Sequence, residues 1–382
     1  MKILHIIPSL MAGGAERLVI DICNELNKRN GIEVKLLLLS KRIDFDDKTI
    51  NFDYSVINSN LRLSLKSSNQ ADLIEFEDAV TEFKPDIIHS HLYEAELISR
   101  WKVFPNINYV THCHDNMSQL SRLSQKKGFK KNITDLYEKR LLFERYKDCN
   151  NNFIAISKDT KDYFTKVIPP ALKQNIFLLS NAIDFKRFHF AKRGKPKSDH
   201  IIHAVCVGSL VNKKNQGFLI PIAVCLKNKG YDCKIDVLGD GPNRASLQAQ
   251  IDSNNLHEEI TLHGNVKNVE EFMRNTDFYI HTATYEPFGL VLLEAMASGL
   301  PVISLDGKGN RDILEHKKNG YIFQEQNAEQ FSCALIDLIE NHELYGIISL
   351  NAQKYAERFD IKNYLDNLLI IYRDAMSSTN AI

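Results

Sequence analysis

Thr284 to Pro301 (TYEPFGLVLLEAMASGLP) places two carboxylates, Glu286 and Glu294, seven intervening residues apart. Pro287 suits a first helical turn, where its missing N–H costs nothing. Gly289 lets an outside group approach the backbone, and Gly299-Leu300-Pro301 ends the helix. The amides of Phe288, Gly289, Leu290 and Val291 then form an anion site, helped by the helix dipole. Glu286 at its mouth is either a dipole-compensating cap or a ligand group. Glu294 lies on an apolar helix, where a charge calls for a partner or a ligand.

Two further sets of residues could do chemistry. Ser209, Lys213 and Lys214 follow a strand ending Val207-Gly208 and place a hydroxyl and two cations in one turn. The pairs His89-Ser90-His91 and His112-Cys113-His114 both close strands, where alternate residues share a face. Four histidines and a thiol could ligate zinc. The alternative for His89 and His91 is strand-end packing or cleft lining.

These residues must be held by alternating strands and helices. Lys2 to Leu10 reads as a buried strand, broken by Gly13-Gly14. A helix follows with Ala15, Leu18, Ile22 and Leu26 on one stripe, then the strand Val34 to Leu39. Strand, glycine turn, helix and strand make a βαβ unit and so a parallel sheet. The same grammar recurs up to Phe153–Ser157. It restarts at Ile201–Gly208, continues through Lys234–Gly239 and Phe278–Thr282, and closes with Pro301–Leu305. Arg187 to His200 is polar, basic and aperiodic and reads as a linker. The expectation is α/β: two doubly wound lobes with ligand at the carboxyl ends of the strands.

The motifs also resemble those of the retaining glycosyltransferases of family 4. The match is carried by the Glu286/Glu294 pair, Gly13-Gly14-Ala15-Glu16, Ser180-Asn181-Ala182-Ile183-Asp184, Lys214-Asn215 and Gly239-Asp240-Gly241-Pro242, in family order. The resemblance implies the GT-B fold, in which two Rossmann-like domains face a central cleft. They are expected at 1–190 (acceptor side) and 191–357 (donor side), with a helix at about 358–382 packing back on the first. It implies transfer of a sugar from a nucleotide-diphosphate donor, a UDP-sugar by preference, with retention. Glu286 would hold the donor sugar's hydroxyls and Glu294 the ribose. Gly13 and Gly14 would admit the diphosphate, Lys214 would neutralise it, and His114 would face the sugars. Gly241 and Val266 would stand on the base side, with Phe288 and Gly289 near the phosphates. No essential metal or other cofactor is implied. One departure is Ser209, where family members often carry Arg. Lys213 is then either solvated surface or its substitute, without the bidentate fork.

Length and composition set outer limits. The 382 residues hold 48 basic and 48 acidic side chains, so the balance argues against a nucleic-acid binder. Seven scattered cysteines with no C-x-x-C suit reduced thiols and a cytoplasmic setting. Lys2 and the apolar Ile3–Met11 imitate a signal peptide but lead into an amphipathic helix. Residues 117–147 carry nine cations against three acids, interleaved with Leu120, Leu136 and Leu142. They read as a solvated helix face or as a patch for anionic lipid on the inner face of the membrane, where a lipid-linked or glycan acceptor would be met. Two rivals remain. A nucleotide-sugar hydrolase or epimerase of the same fold would need no acceptor. A dinucleotide oxidoreductase is disfavoured, because Gly13-Gly14 is not G-x-G-x-x-G and Leu39 leads to Ser40-Lys41-Arg42 rather than to an acid.

Overall fold

The computed structural model describes the chain except residues 65–68, 121–128, 191–192, 199 and 380–382. It divides into two compact units, Met1–Asn181 with Ile361–Ile382, and Ala182–Asp360.

In the first unit the apolar runs become parallel strands β1 (Lys2–Ile7), β2 (Glu33–Leu38) and β3 (Asp53–Val56). A short antiparallel pair, β4 (Asn60–Arg62) and β5 (Gln70–Asp72), stands apart. Strands β6 (Ile87–His91), β7 (Asn108–Cys113), β8 (Asn152–Ala155) and β9 (Ile176–Leu178) complete a seven-stranded sheet in the order β3-β2-β1-β6-β7-β8-β9. The strand order reverses between β1 and β6, which are paired His5 to His89. Leu4, Ile6 and Ile88 join the core that includes Phe76, Ile98 and Tyr109. The helix Gly14–Leu26 buries Leu18, Val19, Ile22 and Leu26.

The second unit repeats the plan. Strands β10 (Ile201–Val207), β11 (Asp232–Leu238), β12 (Ile260–Gly264), β13 (Phe278–His281), β14 (Val302–Leu305) and β15 (Tyr321–Phe323) form the order β12-β11-β10-β13-β14-β15. All are parallel, with the reversal between β10 and β13. This is the Rossmann order, which creates a crevice at the carboxyl ends where the two halves diverge.

The expected linker is displaced. The boundary falls between Asn181 and Ala182, and the 187–200 stretch belongs to the second unit. Arg193 and Lys197 in it are structural. The Arg193 guanidinium donates to the carbonyls of Met273 (2.6 Å), Arg274 (3.1 Å) and Ser298 (2.9 Å), and also to that of Thr276. Three of those carbonyls close the helix Val269–Asn275, where a cation is favoured. Lys197 adds its amide to Asp277 (3.1 Å) and its ammonium to the Asn275 carbonyl (2.8 Å). The last helix, Ile361–Thr379, is part of the first unit and begins at Ile361 rather than 358. No helix among the described residues is long and apolar enough to cross a membrane.

Candidate active site

At the reversal in the second unit, three polar side chains from separate segments converge. β10 ends at Val207, and the following turn carries Lys214 in a short 3-10 segment, Asn212–Lys214. That turn is latched to the end of β13: Thr282 Oγ1 donates to the Lys214 carbonyl at 2.8 Å, and Asn215 Nδ2 to that of Thr282 at 3.2 Å. Lys214 Nζ thereby meets Glu286 Oε2 at 2.5 Å. His281, the last residue of β13, places Nε2 3.4 Å from the same oxygen. Glu286 is 7% exposed. Burial alone would raise its pKa, but His281 and Lys214 overcome that and hold it at about 2. Burial lowers the pKa of His281, against the pull of Glu286.

Glu286 is also gripped through its backbone. Its amide donates to the Gly307 carbonyl at 2.8 Å, and its carbonyl accepts from the Gly309 amide at 2.9 Å. At Gly309 an added Cβ would overlap the Pro287 carbonyl, so this approach requires glycine. Asn310 stabilises the loop, accepting from the Gly307 amide (2.8 Å) and donating to the Leu305 carbonyl (2.7 Å). Gly289 follows as the N-cap of the helix Leu290–Ala297, at φ 105°, a conformation that side chains resist. Leu290 and Val291 open the helix, so their amides precede any i−4 carbonyl. Phe288 is 1% exposed and packs on Phe359, 5.9 Å between centroids, so its ring serves the core and its backbone serves the helix mouth. Glu294 lies on the same helix, half-buried.

The other expected residues are placed as follows. Lys213 and Ser209 are exposed, the former fixed by the Thr284 amide on its carbonyl at 2.9 Å. Gly241 abuts the Leu210 backbone, and Val266 is half-buried after β12. In the first unit Gly13 caps the helix that Gly14 begins, and both are exposed. His114 is half-buried one residue past β7, bonded through Nε2 to His91 Nδ1 at 3.0 Å. Two contributors were not singled out beforehand. His281 ends a strand five residues before Glu286, and Gly307-Lys308-Gly309-Asn310 is a glycine-rich turn after a buried strand, so both carried a readable signal. His5 was the third omission, hidden inside an apolar run.

Among the described residues the possible metal ligands are two overlapping trios, His5/His89/His91 and His91/His112/His114, with donor atoms within 4.8 Å of one another in each. Cys113 is outside them; it is buried, and burial raises its pKa well above normal.

Of the basic stretch, Arg122, Lys126 and Lys127 lie outside the described residues. In the helix Phe129–Asp148, Lys131 pairs with Asp135 (3.3 Å), Arg140 with Glu144 (2.8 Å) and Arg145 with Asp148 (3.7 Å). Ile133 and Leu136 are exposed.

Two family models tile the chain: Glycosyltransferase Family 4 over residues 12–187 and Glycosyl transferases group 1 over 185–355. The chain belongs to these glycosyltransferases. A poly(glycerol-phosphate) alpha-glucosyltransferase of Bacillus subtilis (strain 168) is 24% identical to this glycosyltransferase over 273 residues, 70% of this chain and 37% of that one. The chain therefore spans little more than a third of that relative. The putative glycosyltransferase EpsF of the same organism is 25% identical over 319 residues, 80% of this chain and 79% of EpsF. Among solved structures, Anabaena HepE in complex with UDP and glucose superposes with a TM-score of 0.73 at 20% identity, covering 100% of both chains. The fold is accordingly GT-B.

Proposed function

We propose that this glycosyltransferase moves a sugar from a UDP-sugar to a glycan or lipid-linked acceptor, with retention, in assembly of a surface polysaccharide. The observation that carries the reading is the Lys214–Glu286–His281 cluster beside the opening of the helix Leu290–Ala297. A departing nucleoside diphosphate gathers negative charge, and a preorganised ammonium with helix-end amides lowers the barrier to its departure. Glu286, ionised and held in place, accepts hydrogen bonds from the donor sugar's hydroxyls, while Glu294 takes the ribose. The departing phosphate removes the acceptor's proton, so no covalent enzyme intermediate forms and no metal is required. Support for the donor comes from HepE, whose crystals hold UDP and glucose, and support for the acceptor class comes from the poly(glycerol-phosphate) alpha-glucosyltransferase. The reaction belongs in the cytoplasm, with the basic helix Phe129–Asp148 against the anionic inner face of the membrane.

A thermal-shift screen with UDP, GDP and ADP and their sugars tests the donor, because a ligand of the native state raises stability by mass action. UDP and one UDP-sugar should shift the transition, and EDTA should leave turnover unchanged. A shift with GDP alone would replace the base assignment. Release of UDP at full rate without acceptor would replace transfer by hydrolysis, and an inverted product anomer would remove retention.

A further inference from the structure

Five histidines share one face of the first sheet. β1 carries His5, β6 carries His89 and His91, β7 carries His112, and His114 follows it. The register pairs His5 with His89 and His91 with His112, and alternation keeps all the rings on one side. Neighbouring rings lie 4.3–5.3 Å apart. Three are joined in a line: His5 Nδ1 to His91 Nε2 at 2.9 Å, and His91 Nδ1 to His114 Nε2 at 3.0 Å. Burial lowers the pKa of each of the five, so the imidazoles are neutral near pH 7.

A neutral imidazole has one N–H and one lone pair. His91 is bonded through both nitrogens, so it donates with one and accepts with the other, and the line has a single polarity. If His114 donated inward, His5 Nε2 would carry a proton. That atom is buried without a partner, as are His89 Nε2 and His112 Nδ1. A stranded N–H is rarer and costlier than a stranded lone pair. The opposite polarity leaves only a lone pair on His5 Nε2. The same choice lets His112 Nε2–H donate to Asn181 Oδ1 (3.2 Å) and His89 Nδ1–H to the Tyr372 hydroxyl (2.6 Å). One rule leaves each of the three orphaned atoms a lone pair rather than a stranded N–H.

We infer that His5 and His91 are positioning residues which fix His114 as the Nδ1–H tautomer, so that it meets a sugar oxygen as a hydrogen-bond donor and not as a base. The inference rests on the reading of His114 as a substrate-facing residue. A metal on either trio fits less well. The His5–His91 and His91–His114 nitrogen pairs, one in each trio, are already hydrogen-bonded to each other, and a metal would have to break that bond.

The test is long-range proton–nitrogen NMR of the full chain labelled with nitrogen-15 at histidine, with His114 assigned by its loss in His114→Gln. The wild type should show Nδ1 protonated at His114. His5→Leu should give a mixed tautomer and lower kcat about tenfold, with KM for the donor little changed. His5→Asn, which keeps a donor at the Nδ1 position, should recover both. A protonated Nε2 at His114 in the wild type, wild-type kcat in His5→Leu, or a stoichiometric transition metal in the purified protein would each overturn the relay. Wild-type turnover in His114→Ala overturns the substrate-facing role instead, and the tautomer spectrum tells the two failures apart.

Discussion

Glu286 is held by three agents of different kinds: a cation at 2.5 Å, a buried imidazole at 3.4 Å and a glycine loop on its backbone. Their removal has different consequences. Lys214→Ala takes away the charge proposed to meet the diphosphate, and turnover should fall on the order of 100-fold or more with the fold retained, though at a lower melting temperature because Glu286 loses its buried partner. Wild-type kinetics would remove Lys214 from the site. Gly309→Ala acts on the scaffold, since its methyl overlaps the Pro287 carbonyl and something must shift. A loss of about 1–3 kcal/mol is expected in urea denaturation; an unchanged midpoint would show that the loop yields freely. The carboxylate was legible because a charge beside a proline–glycine helix start stands out, and the lysine through its resemblance to the family's motif spacing. His281 and His5 were not, because a histidine within a strand is usually core, and its role depends on neighbours brought from elsewhere in the chain.

At the scale of elements, the helices Tyr93–Trp101 and Phe129–Asp148 meet across Glu96 and Tyr146, whose hydroxyl donates to the carboxylate. Burial raises the Glu96 pKa to about 7, although Arg100 opposes the shift. An acid raised in this way holds its proton in the folded chain after the unfolded chain has lost it. Its contribution is complete below about pH 4.5 and is lost as pH rises through about 7. Glu96→Gln keeps an acceptor for Tyr146 and does not titrate. Its stability should gain on the wild type by about 3 kcal/mol between pH 4.5 and 8, read from denaturation at each pH. Parallel pH curves would mean that Arg100 keeps the carboxylate ionised throughout. The core strands were readable because strands buried on both faces are continuous apolar runs. The 187–200 stretch misled, since Arg193 and Lys197 bond helix-end carbonyls from residues 78 or more positions away in sequence. Composition alone cannot separate such a segment from a solvated linker.

For the whole molecule, the tail is the part whose place in sequence and place in space diverge most. Ile361–Thr379 buries Leu365, Leu368 and Tyr372, a helical stripe visible in the sequence, and Arg29 pairs with Asp366 at 2.9 Å. Tyr372 also closes the histidine face by bonding His89. Each large apolar side chain is worth about 1.5–3 kcal/mol when buried, and the stripe together approaches the roughly 5–15 kcal/mol that holds a domain folded. A chain ending at Asp360 should therefore lose its first unit selectively. Hydrogen exchange should show protection gone from β1, β6 and β7 while β10 to β14 keep theirs, because the second unit has its own core. If the second unit unfolds with the first, the two are one cooperative body and the tail stabilises both. If neither changes, the helix is an accessory and the histidine face is closed by something other than Tyr372. Selective loss would mean that the first unit folds fully only after its last residues have been synthesised, with the second unit already complete.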